Sequence, residues 1–262
     1  MLPAAMMRPD VIDLGQFYSS PLGQVARRMI RRRIREIWPD SGGLRVLGLG
    51  FATPYLRPFR DRAERVIAIM PAAQGVLPWP PDEPRLVALA DETELPLPDN
   101  SIDLLLLVHG LESGEHVRAL LREAWRVLVS SGRLLAVVPN RRGIWARLDH
   151  TPFGHGQPYT PPQLNRLLRE TMFAPARTAG ALYMPPSRRR FFLRTAGAWE
   201  RVGARLWQRF PGVVMVEAGK QMYAVTPVRE RRRRGRRAII VPQAAAPVTS
   251  RSGSGETPPA HP

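Results

Sequence analysis

The segment LRVLGLGFATPYL, residues 44–56, opens the part of the chain with the clearest pattern. LRVLGL is a short apolar run that suits a strand buried in a parallel sheet. Gly50 follows it and lets the backbone approach a ligand closely. Thr53-Pro54 then reads as a helix N-cap and first helical residue, while Pro58 argues against a long regular helix. A strand, a glycine turn and a helix N-terminus form the first unit of an open α/β sheet. In such sheets ligands lie beyond the carboxyl ends of the strands, near the switch point.

Four more apolar runs follow: RVIAIM (65–70), residues 86–90, IDLLLLV (102–108) and GRLLAVV (132–138). Between the last two, Val117, Leu120, Leu121, Ala124 and Leu128 share a helical face. Parallel strands joined by helical crossovers define a doubly wound, Rossmann-like α/β sheet. Thr160 and Pro161 start a further helix, buried through Leu164, Leu167, Leu168 and Met172. Thr178–Met184 and Lys220–Val225 are expected as a closing antiparallel edge. They enclose a helical insertion at about 186–212, with Trp199, Val202, Leu206 and Phe210 on one side.

The ends differ in character. Leu22, Val25, Ala26, Met29, Ile30, Ile34, Ile37 and Trp38 recur at helical spacing, with Arg27, Arg28, Arg31, Arg32, Arg33 and Arg35 between them. Pro39–Gly43 stops that helix. Residues 228–262 combine RERRRRGRR with a Pro- and Ser-rich remainder that cannot bury a core, and are expected to be disordered. The organisation expected is a helical extension (1–43), one α/β domain (44–227) and the tail (228–262).

The chain has 262 residues, 44% of them hydrophobic, and no cysteine. That excludes disulfides, cysteine metal ligands and a cysteine nucleophile. No apolar run reaches the roughly 18–20 residues of a membrane span, and a cytoplasmic protein is the expectation. The net charge of +17 comes almost wholly from arginine; Lys220 is the one lysine. This pattern fits the codon bias of a GC-rich genome, and it also suits an RNA or acidic partner bound through the Arg-rich helix and tail.

Four stretches together resemble the class I S-adenosylmethionine-dependent methyltransferases, over about residues 44–185. They are VLGLGFATPYL (46–56), LADETELPLPDNSIDLLLLVHGLE (89–112), LLREAWRVLVSSGRLLAVVPN (120–140) and PYTPPQLNRLLRETMF (158–173). The resemblance implies S-adenosylmethionine as cofactor and methyl transfer to an unidentified acceptor, a small molecule first. It places Gly48, Gly50, Ala52, Met70, Asp91, Glu92 and His109 around the cofactor, with His109 also the candidate base.

The chain departs from the family's pattern at the cofactor. Gly48 stands where an acidic residue is usual, and Ala52 and Pro54 replace two glycines. Met70 stands where an Asp or Glu normally binds both ribose hydroxyls. Losing a charged acceptor costs about 1.5–3 kcal/mol, or roughly ten- to a hundredfold in affinity. These substitutions point to an alternative, a non-catalytic protein that kept the fold and lost the cofactor. The arginine surfaces point to a third reading, an RNA-binding or RNA-modifying protein.

Several residues carry two readings. Asp91 is either the acid near the adenine amine, with Glu92 beside it, or a loop cap. Asp103 is mainly structural. His109 either lines the site or packs. Asp149–Tyr159, with His150 and His155 five apart, is a substrate-covering loop, a connector or, as a third alternative, a metal site on its two histidines. Asn140, Arg141 and Arg142 either bind an anionic substrate or cap the next helix. No G-x-x-x-x-G-K-[ST] phosphate loop and no G-x-G-x-x-G dinucleotide motif is present.

Overall fold

In the computed structural model, residues 9–222 are described, residue 82 excepted. The disordered tail expected over 228–262 lies outside them. Two helices precede the sheet. Helix α1 (Val11–Ser19) starts at Asp10, whose carboxylate accepts the Ile12 and Asp13 N–H groups at 2.9 and 2.8 Å. Ser20 ends α1 and caps α2 (Pro21–Ile37), its Oγ accepting from Gly23 N at 3.1 Å. The sequence pattern gave α2 but not α1. Gly23 is required at their crossing, because a Cβ there would sit 1.9 Å from the Phe17 carbonyl oxygen.

Seven strands form one sheet in the order β3-β2-β1-β4-β5-β7-β6. β1 (Arg45–Gly50), β2 (Arg65–Pro71), β3 (Val87–Ala90), β4 (Ile102–Val108) and β5 (Leu128–Pro139) are parallel. β6 (Phe173–Ala181) and β7 (Val213–Lys220) run antiparallel and close one edge. This is the expected doubly wound methyltransferase-type sheet. Between β1 and β2 the chain makes only a short helix α3 (Thr53–Leu56) and a 3-10 turn through Pro58. Helix α4 (Val117–Val127) runs straight into β5, and α5 (Pro161–Glu170) starts at a capping box of Thr160 and Gln163.

The antiparallel edge differs from expectation in position. β6 begins at Phe173, not Thr178. It carries Pro175 and a register shift between Pro175 and Arg177, so as an outer strand it lacks a clean apolar pattern. β7 is Val213–Lys220, ending where the last strand was expected to begin. Its VVMVEA segment is buried between β5 and β6. Helix α6 (Arg190–Leu206) lies between these strands.

Each sheet face carries its own apolar layer. Leu104 and Leu106 join Val46, Leu56 and the α1 and α2 residues on one face, and Leu105 and Leu107 join Leu47, Leu49 and the α4 and α5 residues on the other. This alternation along β4 explains why IDLLLLV has no polar face. At the strands' other end, Asp103 accepts Arg45 N and Nε at 2.9 and 2.8 Å and Nη2 at 3.2 Å. The Arg45 guanidinium holds the Asp103 carboxyl below its usual range. Asp103 therefore ties β1 to β4, far from the strand ends that form a site.

Candidate functional site

The strand order reverses between β1 and β4, so the site expected for an open α/β sheet lies above Gly50 and His109. Gly50 has φ +77°, and a Cβ on it would lie 2.2 Å from the Val108 carbonyl oxygen. Phe51 N donates to that same oxygen at 2.8 Å. The loop after β1 is thus pressed onto the end of β4.

A buried polar chain crosses this point. The Tyr55 hydroxyl donates to the Tyr18 hydroxyl at 2.8 Å. Tyr18 Oη lies 2.8 Å from His109 Nε2, and His109 Nδ1 lies 3.0 Å from Glu112 Oε1. A carboxylate only accepts, so one consistent order of donation runs from Tyr55 through Tyr18 and His109 to Glu112. Burial, then the neighbouring Tyr55, pushes the Tyr18 hydroxyl well above its ordinary pKa. Burial also raises that of Tyr55.

Aromatic rings enclose the chain. Tyr18 stacks on Phe51 at 5.8 Å and meets Phe17 and Tyr55 edge-on. Phe153, from the 149–159 loop, lies 5.1 Å from the His109 ring and packs on Trp145. Helix α1 is held over the strand ends by Val11 N, which donates to the Gln74 carbonyl at 3.0 Å. Gln74 Nε2 and Ser113 Oγ both donate to the His109 carbonyl.

The other anticipated residues fall into three groups. Gly48, Ala52 and Met70 are packing positions: Met70 is 1% exposed in one apolar cluster with Val11, Leu14 and Tyr18, and a Cβ at Gly48 would collide with Leu56 and Ala52. Asp91 is exposed and caps its own loop, accepting from Thr93 N and Oγ1 at 2.7 Å; these bonds hold its carboxyl below the usual range. Glu92 is buried near Gly114. Asn140 is spent on the backbone, donating to Pro211 O and accepting from Arg142 N. Of the anticipated set, His109 alone joins the buried polar chain.

The residues that do meet His109 were not anticipated. Glu112 and Gln74 sit in loops, where no periodicity marks them. Tyr18 had a readable signature, Asp10 as N-cap with Val11, Leu14 and Tyr18 at helical spacing.

These residues do not fit S-adenosylmethionine as they stand. The place above the β1 loop is filled by Tyr18, Phe51 and Tyr55, each 5% exposed or less. No acidic side chain faces it from β2. Open clefts of about 700, 490 and 520 Å³ lie elsewhere, and none has Gly50, Ala52, Met70 or His109 in its wall.

Residues 46–136 match a family model described as a methyltransferase domain. Among solved structures, an S-adenosylmethionine-dependent methyltransferase from Thermotoga maritima matches with TM-score 0.58 and 16% identity, covering 80% of this chain and 96% of its own. One from Mesorhizobium loti matches with TM-score 0.52 and 18% identity, over 72% and 96%. One from Archaeoglobus fulgidus matches with TM-score 0.52 and 18% identity, over 74% and 94%. No curated protein matches by sequence. Residues 46–136 thus resemble the methyltransferase domain, and the chain has the fold of the class I S-adenosylmethionine-dependent methyltransferases.

Proposed function

We infer that this chain is a methyltransferase-fold protein whose cofactor end is closed by its own residues, and that it works as a non-catalytic binding or regulatory protein. The observation that carries this reading is Tyr18, seated between Phe51, Tyr55 and His109 at the switch point. Cofactor entry requires Val11, Leu14 and Tyr18 to leave an apolar cluster. At about 1.5–3 kcal/mol for each buried side chain, that opposes binding by about 4–9 kcal/mol. At roughly 1.4 kcal/mol per decade, the affinity falls a thousandfold or more. Met70 supports the same reading independently, since no movement of α1 turns it into a ribose acceptor.

A second reading, methyl transfer to a small-molecule acceptor after α1 lifts, is favoured by one observation. Gln74 Oε1 and Glu112 Oε2 are buried acceptors with no donor partner, and a ligand carrying ammonium or hydroxyl groups would satisfy them. In both readings the chain is a cytoplasmic protein made of a helical extension (1–43), the α/β domain (44–227) with its 186–212 insertion, and the Arg/Pro-rich segment 228–262.

Calorimetric titration of the full chain with S-adenosylmethionine and with its demethylated product separates the two. The closed reading expects no binding by wild type or by Tyr18→Ala up to millimolar ligand. Micromolar binding by wild type, tightened in Tyr18→Ala, would overturn it in favour of the enzyme.

A further inference from the structure

Helix α6 packs on the body through a narrow contact. Ala196 and Gly203 are its buried residues, and Gly203 is needed there because a Cβ would meet the Tyr183 Cβ at 2.3 Å. The remaining surface is divided into two stripes. At about 100° per residue, Phe191, Val202 and Leu206 fall within a sector about 60° wide, and Arg190, Arg194, Arg201 and Arg205 fill the adjoining one. Phe191 is 64% exposed and Leu206 71%; past the helix end, Trp207, stacked on Trp199, and Phe210 are also exposed, at 45% and 54%.

The charge on this element is one-sided. Residues 188–209 hold seven arginines and a single acid, Glu200. Glu200 turns inward and accepts from Leu182 N and Tyr183 N. None of the seven arginines forms an ion pair among the described residues. Helix α2 lies alongside and extends the basic surface. Arg32 of α2, ion-paired with Glu36, and Arg201 of α6 line one crevice, and Arg28, Arg31 and Arg35 stand next to it beside the same Glu36. Burial and the neighbouring Arg27, Arg35, Arg57 and Arg28 push the Arg31 guanidinium below its ordinary pKa, as expected where positive charge is not neutralised.

We propose that the α2–α6 face is a docking surface for an anionic phospholipid bilayer. The stripe of Phe191, Val202 and Leu206 enters the boundary between headgroups and acyl chains, and the flanking arginines meet the lipid phosphates. The pattern of apolar and basic stripes is that of a helix lying in the interface plane. Val202 and Leu206 select lipid over nucleic acid, because single-stranded bases stack on aromatic rings and gain nothing from aliphatic ones. No described helix is long and apolar enough to cross a membrane, so the association is peripheral. It does not depend on whether the switch-point site binds a cofactor.

Sedimentation of the full chain with vesicles of phosphatidylcholine, with and without phosphatidylglycerol, tests this. Wild type should partition onto the phosphatidylglycerol vesicles and not onto phosphatidylcholine alone. The double substitution Phe191→Glu and Leu206→Glu alters exposed side chains and keeps every arginine, including the 229–237 run. It should leave the melting temperature unchanged and weaken partitioning at least about tenfold. Absence of wild-type binding would overturn the proposal. So would binding that the double variant retains, which would assign it to charge in the tail. A dimer in vesicle-free solution that the double variant dissociates, with no vesicle binding, would assign the face to a second copy. Tight binding to a single-stranded RNA without vesicle binding would assign it to nucleic acid.

Discussion

Replacing Tyr18 by Phe keeps the ring and removes one hydroxyl that two buried groups depend on. Tyr55 donates to that oxygen at 2.8 Å, and His109 Nε2 lies 2.8 Å from it. Tyr55 is 0% exposed and His109 2%, so water cannot stand in. An orphaned buried polar group costs about 1–3 kcal/mol, which gives about 2–6 kcal/mol for the pair, with local relaxation favouring the lower end. Tyr55→Phe removes a donor while Tyr18 still reaches His109, and should cost about 1 kcal/mol. The double variant deletes the Tyr55 orphan together with its partner, so it should be no worse than Tyr18→Phe alone. The cycle should therefore show a coupling of about 1–3 kcal/mol. Urea unfolding of the four proteins measures this, with an unchanged m-value as the check that α1 stays in place. If Tyr18→Phe lies within about 0.5 kcal/mol of wild type and the double variant is additive, the relay does not exist and α1 is not seated on His109.

Three further outcomes follow from the geometry. Gly50→Ala, with its Cβ 2.2 Å from the Val108 carbonyl, should cost more than about 3 kcal/mol, whereas Gly43→Ala, at φ +68° with nothing within 4 Å, should cost only about 1–2 in urea unfolding. Trp38→Phe deletes a 2.9 Å bond from Nε1 to the buried Glu217 carboxylate, leaving Arg133 at 3.3 Å; the same assay should show a loss of about 1.5–3 kcal/mol. Acid should destabilise the fold through Asp103 and Glu123, whose carboxyls are held low by Arg45 and Arg126. Their folded values lie below the unfolded values of about 4, so the stability they contribute is present above that pH and disappears as pH falls through the folded values. Arg126→Ala should accordingly flatten the acid limb of a stability–pH profile, and an unchanged limb would refute the assignment.

The sequence alone determined the sheet. Apolar runs such as IDLLLLV are buried on both faces wherever they sit in the doubly wound order, so pattern and spacing were enough to predict the five parallel strands. Gly50 and Asp103 were also legible, because each acts through its own backbone or a neighbouring strand. The edge was less so: β6 is an outer strand interrupted by Pro175, and its weak pattern displaced the expected boundaries. The site was the part that only tertiary structure decided. His109 was visible as a lone histidine, but its meaning depends on Tyr18, 91 residues away in sequence, and on Glu112 and Gln74 in loops without periodicity. Short-range propensity encodes which residues form strands and helices. Whether the space above the strands is a pocket or a packed core depends on what a separate helix lays over it, and that is fixed by the burial of Val11, Leu14 and Tyr18 against the sheet ends.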